Sequence, residues 1–360
     1  MTMKIAIDFR EATHPTRAGK GEYVYQLVRA WLISGFDAEL VLLIHAGQTV
    51  NLPAGKWRVQ SFSQSVWWHW QVMWWLRRRP VDVFLATLSF IVPALTSAVP
   101  VITTLFDFTA WRFPRTHLSK AIWLERIFAN RAFKRSVHLL AISEFTKQEA
   151  MNLCGVASAQ ITVTPMAAAE QFKPLLADPV VRTKYHLPKN FILYLGTIEP
   201  RKNLEQLIKA FNQIGPRFPE VALVLAGGAG WQSESTLRQA NNRIIFPGYI
   251  TDNDRPAVYN LADIFVFPSL YEGFGIPPLE AMACGVPTIV SDRASLPEVV
   301  GDAAIKVSAD NPGALAEAMA KLLSSADLRE QFRQAGLRRV REFGWRRTAE
   351  LTWQIVQRYG

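Results

Sequence analysis

The 360-residue sequence has only two cysteines, Cys154 and Cys284, which lie far apart along the chain. This scarcity argues against a disulfide framework or a cysteine metal site and favours a reducing compartment. The first ten residues, MTMKIAIDFR, lack the long apolar core of a signal peptide and indicate a buried strand instead. Low-complexity tracts are also absent, and 49% hydrophobic with 19% charged residues is typical of globular proteins. At this length we expect two domains.

Residues 83–106 contain no charged side chain, and an uncharged stretch of this length could span a membrane. Pro93 and Pro100, with scattered serine and threonine, argue against that interpretation. Two buried parallel strands, in VDVFLAT and PVITTLF, with a short connection between them explain the pattern better. We therefore reject a transmembrane segment here.

The net charge of +10 is concentrated in the first half of the chain. Residues 1–175 hold 19 Lys/Arg against 11 Asp/Glu, whereas residues 176–360 hold 21 against 19. Residues 112–147 are also basic and fall mostly on a helix predicted over Ser119–Arg135, whose basic face is either merely solvated or docks an acceptor or a membrane. One-sided basic charge indicates an anionic partner. Because no nucleic-acid motif accompanies the charge, we expect an anionic membrane surface or lipid phosphate, and no nucleic acid.

Tryptophans are concentrated in residues 66–79, which end in three arginines. At helical spacing Trp67, Trp70 and Trp74 share one face. Such an aromatic and basic helix can lie in a bilayer interface. The alternative is a packing helix with some tryptophans turned inward and arginines that complement its dipole. The sequence leaves both open.

Residues 265–287, FVFPSLYEGFGIPPLEAMACGVP, predict a short buried strand, a glycine loop and a helix that ends at Gly285. Backbone N–H groups and the positive helix end then point at one spot, which suits a phosphate. Glu272 and Glu280, with seven residues between them, frame that spot and can accept hydrogen bonds from sugar hydroxyls. The alternative is an ordinary strand, loop and helix with solvated acids.

The same run resembles the E-x7-E signature of the retaining, family-four glycosyltransferases with the GT-B fold, including the EGFG core and the EAMACG-P helix. The resemblance is strongest over residues 191–301 and weakest over 50–80. It implies an α/β protein with two facing Rossmann-like domains, parallel sheets and an interdomain cleft. Residues 1–172 would form the acceptor domain, with the C-terminal helix 345–360 packed back on it, and residues 173–344 would form the donor domain.

The string GTIEPRKN, which ends at Asn203, matches the family's donor-phosphate loop. Its Arg201 and Lys202 offer a planar fork and a mobile ammonium, which a leaving diphosphate requires. Taken alone, such a basic pair is more often solvent-facing. Gly196 and Thr197 in the same string would also contact the donor. The resemblance further implies that Glu280 binds the ribose and that Tyr249 and Ile250 bind the base. The sugar would be bound by Glu272 and by the backbone of Phe274, Gly275 and Ile276.

Near the N-terminus, a loop with Gly19 and Gly21 is predicted to precede a helix that begins at Tyr23. Val24 stands where a dinucleotide fingerprint has its third glycine, so a Rossmann NAD site is disfavoured. The loop resembles the family's N-terminal G-x-G-x-Y loop, and this implies that both glycines approach the donor phosphate.

Many relatives carry a His-Asp pair at the end of the strand in PVITTLF, where the histidine reaches the donor sugar. Here Phe106 replaces that histidine, while Asp107 matches and is a catalytic candidate. The replacement puts one sugar contact in doubt.

Asp252-Asn253-Asp254 spells the D-x-D of metal-dependent sugar transferases. It precedes a predicted helix over residues 256–261, so capping by Thr251 or Asp252 is the favoured role. We expect no metal, and no cofactor other than the nucleotide diphosphate-sugar that serves as donor substrate.

The resemblance implies metal-independent, retaining transfer of a hexose, with GDP-mannose weakly preferred, to a glycan or lipid-linked acceptor in polysaccharide or lipopolysaccharide synthesis. The expected location is the cytoplasm, peripheral to the inner membrane face. Retention by double displacement needs an enzyme nucleophile close to the anomeric carbon. Nothing in the sequence requires such a nucleophile, so we prefer a front-face route. The alternatives are a nucleotide-sugar epimerase or phosphorylase of the same architecture, and a non-catalytic protein that binds carbohydrate or another anionic ligand.

Overall fold

The computed structural model describes residues 2–14, 17, 19–64, 67–78, 81–113, 119–239 and 241–360, with the backbone alone for 119–125. The chain divides into two compact units. Unit 1 runs to Met166 and also contains Trp345–Gly360, and unit 2 is Ala167–Gly344. The division therefore lies somewhat before residue 172, where the sequence analysis placed it.

The described part of unit 1 before Met166 has seven strands and six α-helices. The strands are β1 (Met3–Asp8), β2 (Ala38–His45), β3 (Trp57–Phe62), β4 (Val83–Ala86), β5 (Val101–Leu105), β6 (His138–Ala141) and β7 (Ile161–Val163). The helices are α1 (Gly19–Ser34), α2 (Trp68–Arg77), α3 (Ile91–Leu95), α4 (Thr109–Arg112), α5 (Ser119–Arg135) and α6 (Glu144–Cys154), with 3-10 turns at Glu11–Thr13 and Ser158–Gln160.

The strands of unit 1 form one parallel sheet in the order β3-β2-β1-β4-β5-β6-β7. Its central strands are fully buried, because parallel sheets are covered by helices on both faces. The uncharged stretch 83–106 forms β4 and β5, as predicted, with α3 in the connection. Among the described residues, no helix is long and apolar enough to cross a membrane.

Unit 2 has six strands and eight α-helices in its described residues. The strands are β8 (Asn190–Leu195), β9 (Val221–Ala226), β10 (Ile244–Ile245), β11 (Ile264–Phe267), β12 (Thr288–Ser291) and β13 (Ile305–Val307). The helices are α7 (Pro179–Lys184), α8 (Leu204–Ile214), α9 (Glu234–Leu237), α10 (Arg255–Leu261), α11 (Ile276–Ala283), α12 (Leu296–Val300), α13 (Pro312–Ser324) and α14 (Ala326–Arg339), with 3-10 turns at Pro200–Lys202 and Val340–Glu342.

The second sheet is also parallel, in the order β10-β9-β8-β11-β12-β13. Strands β8 and β11 are neighbours, so the loops that follow them leave the same edge of the sheet side by side. The loop after β8 contains the GTIEPRKN string, and the loop after β11 contains Glu272. This topology places the two predicted donor motifs together.

The last helix, α15 (Trp345–Tyr359), belongs to unit 1 because it packs on α1. The Trp31 indole donates to the Ala349 carbonyl oxygen at 2.8 Å, and Trp353 stacks on Phe36 with 5.3 Å between ring centroids. The Thr348 hydroxyl donates to the carbonyl oxygen of Pro165. These contacts join the end of the chain to its beginning.

Two local predictions were wrong. Helix α1 begins at Gly19, not at Tyr23, so the two N-terminal glycines lie in the first turn of the helix. The sequence IIFPGYI over residues 244–250 predicts a strand, but only Ile244–Ile245 form one. It ends early because Pro247 has no N–H to donate and Gly248 adopts a positive φ of 79°.

Candidate functional site

At the edge where β8 and β11 end, three charged side chains form one ion-pair network. The Lys202 Nζ lies 2.6 Å from Glu272 Oε1, and the Arg201 Nη1 lies 3.3 Å from the same oxygen. The hydroxyl of Ser269 also donates to Glu272, at 2.6 Å. Only 10–17% of each of the three charged side chains is exposed. The sequence analysis named all three, and the structure brings them together.

Burial alone would raise the pKa of Glu272, but Lys202 and then Arg201 act against it, and the net pKa is lowered from the ordinary value. The carboxylate therefore stays ionised and acts as an acceptor, not as an acid. The two cations lie side by side at this edge, and a guanidinium beside an ammonium can bind an anionic ligand.

Arg201 is held by further partners on two loops. Its guanidinium donates to the Tyr271 carbonyl oxygen at 2.5 Å and to Glu199 Oε1 at 2.5 Å. The Trp231 indole donates to the other oxygen of Glu199 at 3.1 Å. Glu199 and Trp231 were not predicted as site residues, because Trp231 reaches Glu199, the partner of Arg201, only when the loops after β8 and β9 are folded.

Glu280 lies in α11 and has its own pair of donors. Its carboxylate, of which 3% is exposed, accepts from the Arg255 guanidinium and from the Tyr259 hydroxyl at 2.9 Å. Burial would lower the pKa of Arg255, but Glu280 and Tyr259 together raise it, so the guanidinium stays charged. The sequence analysis missed Arg255. The sequence feature that could have indicated Arg255 is Asp252, three positions earlier, which pairs with it at 3.1 Å.

The loop between Glu272 and α11 is held in place by hydrogen bonds from Ser295. The hydroxyl of Ser295 is 2.9 Å from the Glu272 carbonyl oxygen and 2.7 Å from that of Phe274. Gly275 has a φ of 108°, and a Cβ there would lie 2.6 Å from Leu296, so only glycine fits. The helix then begins at Ile276, where the first N–H groups have no partner within the helix.

The other donor candidates of unit 2 lie on neighbouring loops. A Cβ at Gly196 would lie 2.8 Å from the Tyr194 hydroxyl, so the chain passes that ring closely. Thr197 is exposed, and its carbonyl oxygen accepts from Tyr194 at 2.9 Å. Tyr249 is half exposed, whereas Ile250 is 2% exposed. Their contacts with a base stay predictions.

In unit 1, close packing against the backbone of Glu11 favours glycine at position 21. A Cβ at Gly21 would lie 2.6 Å from the Glu11 carbonyl oxygen, whereas a Cβ at Gly19 would meet nothing within 4 Å. Asp107 accepts from the Thr109 backbone N–H at 2.9 Å, and Phe106 meets Tyr23 edge to face at 5.2 Å. The predicted catalytic and donor roles of Asp107, Gly19 and Gly21 stay predictions.

Unit 1 also contains a polar cluster that the sequence analysis did not find. Arg10 pairs with the buried Asp8 at 2.8 Å, and its guanidinium lies 3.5 Å from the centroid of the Trp68 ring. His69 contacts Ser89 at 3.1 Å, and its pKa is lowered first by burial and then by Arg10. The members come from well-separated parts of the chain, so no local motif reveals them.

The D-x-D string does not cap its helix with a side chain, so that prediction was wrong. Helix α10 begins at Arg255 with no side-chain cap. The Asp254 carboxylate instead accepts from Lys184 at 2.6 Å and from Tyr185 at 2.7 Å. In the part of the chain that the structure describes, no cluster of His, Cys, Asp or Glu could hold a metal ion.

Two family models match the chain, one in each unit. "Glycosyl transferases group 1" matches residues 181–339, and "Glycosyltransferase Family 4" matches residues 18–168. The solved sucrose-phosphate synthase from Thermosynechococcus elongatus has a TM-score of 0.80 at 19% identity and covers 99% of this chain and 98% of its own. WaaG, a glycosyltransferase involved in lipopolysaccharide biosynthesis, has a TM-score of 0.74 at 14% identity over 98% and 99%. The expected fold is thereby confirmed as α/β, with two parallel-sheet Rossmann-like domains of the GT-B kind.

Among curated proteins, O-antigen chain mannosyltransferase B of Escherichia coli is 29% identical over 97% of this chain and 98% of its own length. The serotype-specific mannosyltransferase WbdA of Escherichia coli is 36% identical over 61% of this chain. The match covers only 28% of WbdA, which is a much longer protein. The two family models together span most of the chain, and with these relatives they support a glycosyltransferase with the GT-B fold.

Proposed function

We propose that the protein transfers mannose from GDP-mannose to a growing glycan or lipid-linked acceptor of the lipopolysaccharide O-antigen type, with retention of configuration and without a metal ion. The observation that carries the proposal is the network in which Lys202 and Arg201 share the Glu272 carboxylate. Support for mannose comes from the relatives, since both Escherichia coli proteins are named as mannosyltransferases.

In this proposal the two cations and the first turn of α11 neutralise the diphosphate as it leaves. The bond from C1 of the sugar to the diphosphate oxygen breaks, and a bond from C1 to the acceptor oxygen forms on the same face. The acceptor hydroxyl passes its proton to the departing phosphate. Glu272 would then hold sugar hydroxyls, a role that fits an ionised carboxylate with its own cations.

Glu280 would bind the ribose through oxygens that Arg255 and Tyr259 already orient. Each carboxylate oxygen can accept more than one hydrogen bond, so these partners leave room for a hydroxyl. The proposed location is the cytoplasmic face of the membrane where such glycans are built.

The first test is calorimetric titration with GDP, UDP, ADP and their common sugar conjugates, with and without EDTA. We expect GDP and GDP-mannose to bind in the micromolar range in both conditions. Transfer is then followed with radiolabelled GDP-mannose and a synthetic lipid-linked mannoside, and NMR of the product gives its anomeric configuration. A donor other than GDP-mannose, an inverted product or a loss of activity with EDTA would each contradict one part of the proposal.

The second test replaces Arg201 by alanine. Loss of one preorganised charge donor from a transition state costs on the order of 100- to 1000-fold in turnover, so we expect that loss with the fold intact. Arg238→Ala is the matched control, because Arg238 is an exposed arginine of unit 2 that pairs only weakly, with Glu234 at 3.4 Å. Near-normal turnover of Arg201→Ala would remove this residue from the site.

A further inference from the structure

Two tryptophans of α2 and Trp67, the residue just before the helix, are turned outward. The exposed fractions of Trp67, Trp70 and Trp74 are 63%, 60% and 57%, whereas Trp68 is 1% exposed. The prediction that the three share one face is confirmed, and that face points away from the core. Clusters of large exposed aromatic side chains mark sites that another surface covers.

Cations border the three tryptophans. Arg77 and Arg78 are exposed at the end of α2, and the Arg78 guanidinium lies 3.6 Å from the centroid of the Trp74 ring. Residues 40–81 contain no aspartate or glutamate at all. Every aspartate or glutamate is therefore missing from this stretch, and its charged residues are all basic.

The basic character continues on α5. Helix α3 packs against both α2 and α5, so the three helices form one layer of unit 1. The outer side of α5 exposes Arg131, Lys134 and Arg135. Over residues 40–143 the sequence holds twelve Lys/Arg and three Asp/Glu. Few acids are available in this region to neutralise those cations.

An anionic lipid bilayer matches this surface better than the other possible partners. Indole rings prefer the boundary between acyl chains and headgroups, and arginines there bind anionic phosphates. A second copy of the chain would bring two basic faces together, and the charges would repel each other. Single-stranded nucleic acid is bound in grooves with stacking platforms, whereas these indoles project from the outer side of one helix.

We propose that the outer face of α2, together with the basic side of α5, docks unit 1 on an anionic lipid bilayer. The tryptophans would enter the interface, and the arginines and Lys134 would contact lipid phosphates. This inference rests on the exposed residues alone and does not depend on which sugar the enzyme transfers.

The test is sedimentation of the full-length protein with vesicles of phosphatidylcholine alone and of phosphatidylcholine with phosphatidylglycerol. We expect binding to the anionic vesicles at least tenfold stronger than to the neutral ones, and weaker as salt rises. The triple variant Trp67→Ala/Trp70→Ala/Trp74→Ala should lose at least tenfold in partitioning. Arg77→Gln/Arg78→Gln should lose about fivefold per arginine.

Matched controls lie away from this face. Ile33 and Leu176 are exposed apolar residues, at 60% and 93%, and their alanine variants should bind vesicles like the wild type. Arg238→Gln/Arg346→Gln removes two positive charges elsewhere and should have a much smaller effect than the Arg77 and Arg78 pair. Brominated lipids should quench the tryptophan fluorescence of the wild type but far less that of the triple variant.

Three results would overturn the proposal. They are equal vesicle binding by the wild type and the triple variant, a dimer in solution that the triple substitution dissociates, and binding of an oligonucleotide with the same tryptophan dependence. Transfer to a water-soluble mannoside should be unchanged in the triple variant. This readout separates a failure of docking from a failure of the proposed reaction, which Arg201→Ala probes.

Discussion

The carboxyl edges of the two sheets are built differently. In unit 2 the edge carries buried ion pairs, with Glu272 on Lys202 and Glu280 on Arg255. In unit 1, strand β5 leads into Phe106, an apolar residue packed on Tyr23. Unit 1 also has a buried ion pair at this edge, Arg10 on Asp8, but aromatic packing replaces charge after β5, where the family resemblance predicts a histidine.

The first way to sharpen this comparison is Glu280→Gln. The substitution keeps the shape of the side chain but leaves the guanidinium of Arg255, 20% exposed, with only Asp252 as a charged partner. Removing one partner of a buried pair costs about 3 kcal/mol or more in unfolding free energy. Urea unfolding of the full chain, followed by fluorescence and circular dichroism, measures this loss.

Glu317→Gln is the matched control, because Glu317 pairs with Lys321 on the surface of α13. Surface pairs contribute little, so its loss should be under about 1 kcal/mol. Equal losses in the two variants would mean that burial does not distinguish the Glu280 pair.

The sequence analysis named Arg201, Lys202 and Glu272 but not the contacts between them, and it missed Arg255, for a physical reason. Arg201, Lys202 and Glu272 each lie in a recognisable motif after a strand, and they meet because those two strands are neighbours in the sheet. Glu280 meets Arg255 across two helices, and the acids before Arg255 suggested a capping role that the fold does not use.

The same limit applies to surfaces and helix starts. Helical spacing indicated which tryptophans of α2 share a face, but only the packed layer shows that this face is outward. Gly19 and Gly21 suggested a loop, since glycine is unfavourable inside helices. The close approach of the Glu11 carbonyl explains Gly21 within α1. Contacts between distant segments decided each of these cases.

The second prediction concerns the pH dependence of the Glu272 network. Because the folded pKa of Glu272 is lowered, its contribution to stability is complete above the ordinary value of 4.5. The contribution is lost as the pH falls through the lower folded pKa. Glu272→Gln should therefore be about 2 kcal/mol less stable than the wild type near neutral pH, and the difference should shrink below about pH 4.5.

Melting temperatures of both proteins from pH 7 down to pH 3 measure that difference. Glu330→Gln, on the exposed surface of α14, is the control and should show little difference at any pH. A gap between the wild type and Glu272→Gln that stays constant over this range would contradict a lowered pKa.

The third prediction compares two glycines of unit 1. Gly21→Ala places a methyl group 2.6 Å from the Glu11 carbonyl oxygen, so we expect a loss of about 1–3 kcal/mol in unfolding free energy. Gly19→Ala, in the same helical turn but with open space around it, should be neutral or stabilising by a few tenths of a kcal/mol. Chemical denaturation of both variants tests this contrast. Similar stabilities would mean that α1 shifts freely against Glu11.

We expect the smallest effect on stability at Phe106. Phe106 is 8% exposed and meets the ring of Tyr23, whose pKa burial raises to about 12, so its hydroxyl stays neutral. Phe106→His introduces the histidine that the family resemblance predicts here but loses apolar contact area, and we expect a cost of about 1 kcal/mol.

The informative readout at this position is the split between KM and kcat for the donor. If the aromatic ring only packs on Tyr23, Phe106→Leu and Phe106→His should alter stability alike and leave the donor KM unchanged. If the position contacts the donor sugar, only Phe106→His should change the KM, because only the imidazole can hydrogen-bond a hydroxyl. We expect the second outcome. The family resemblance implies a histidine on the donor sugar at position 106, and the neighbouring Asp107 matches the second residue of that pair. Identical kinetics for both variants would assign this edge of unit 1 to packing alone.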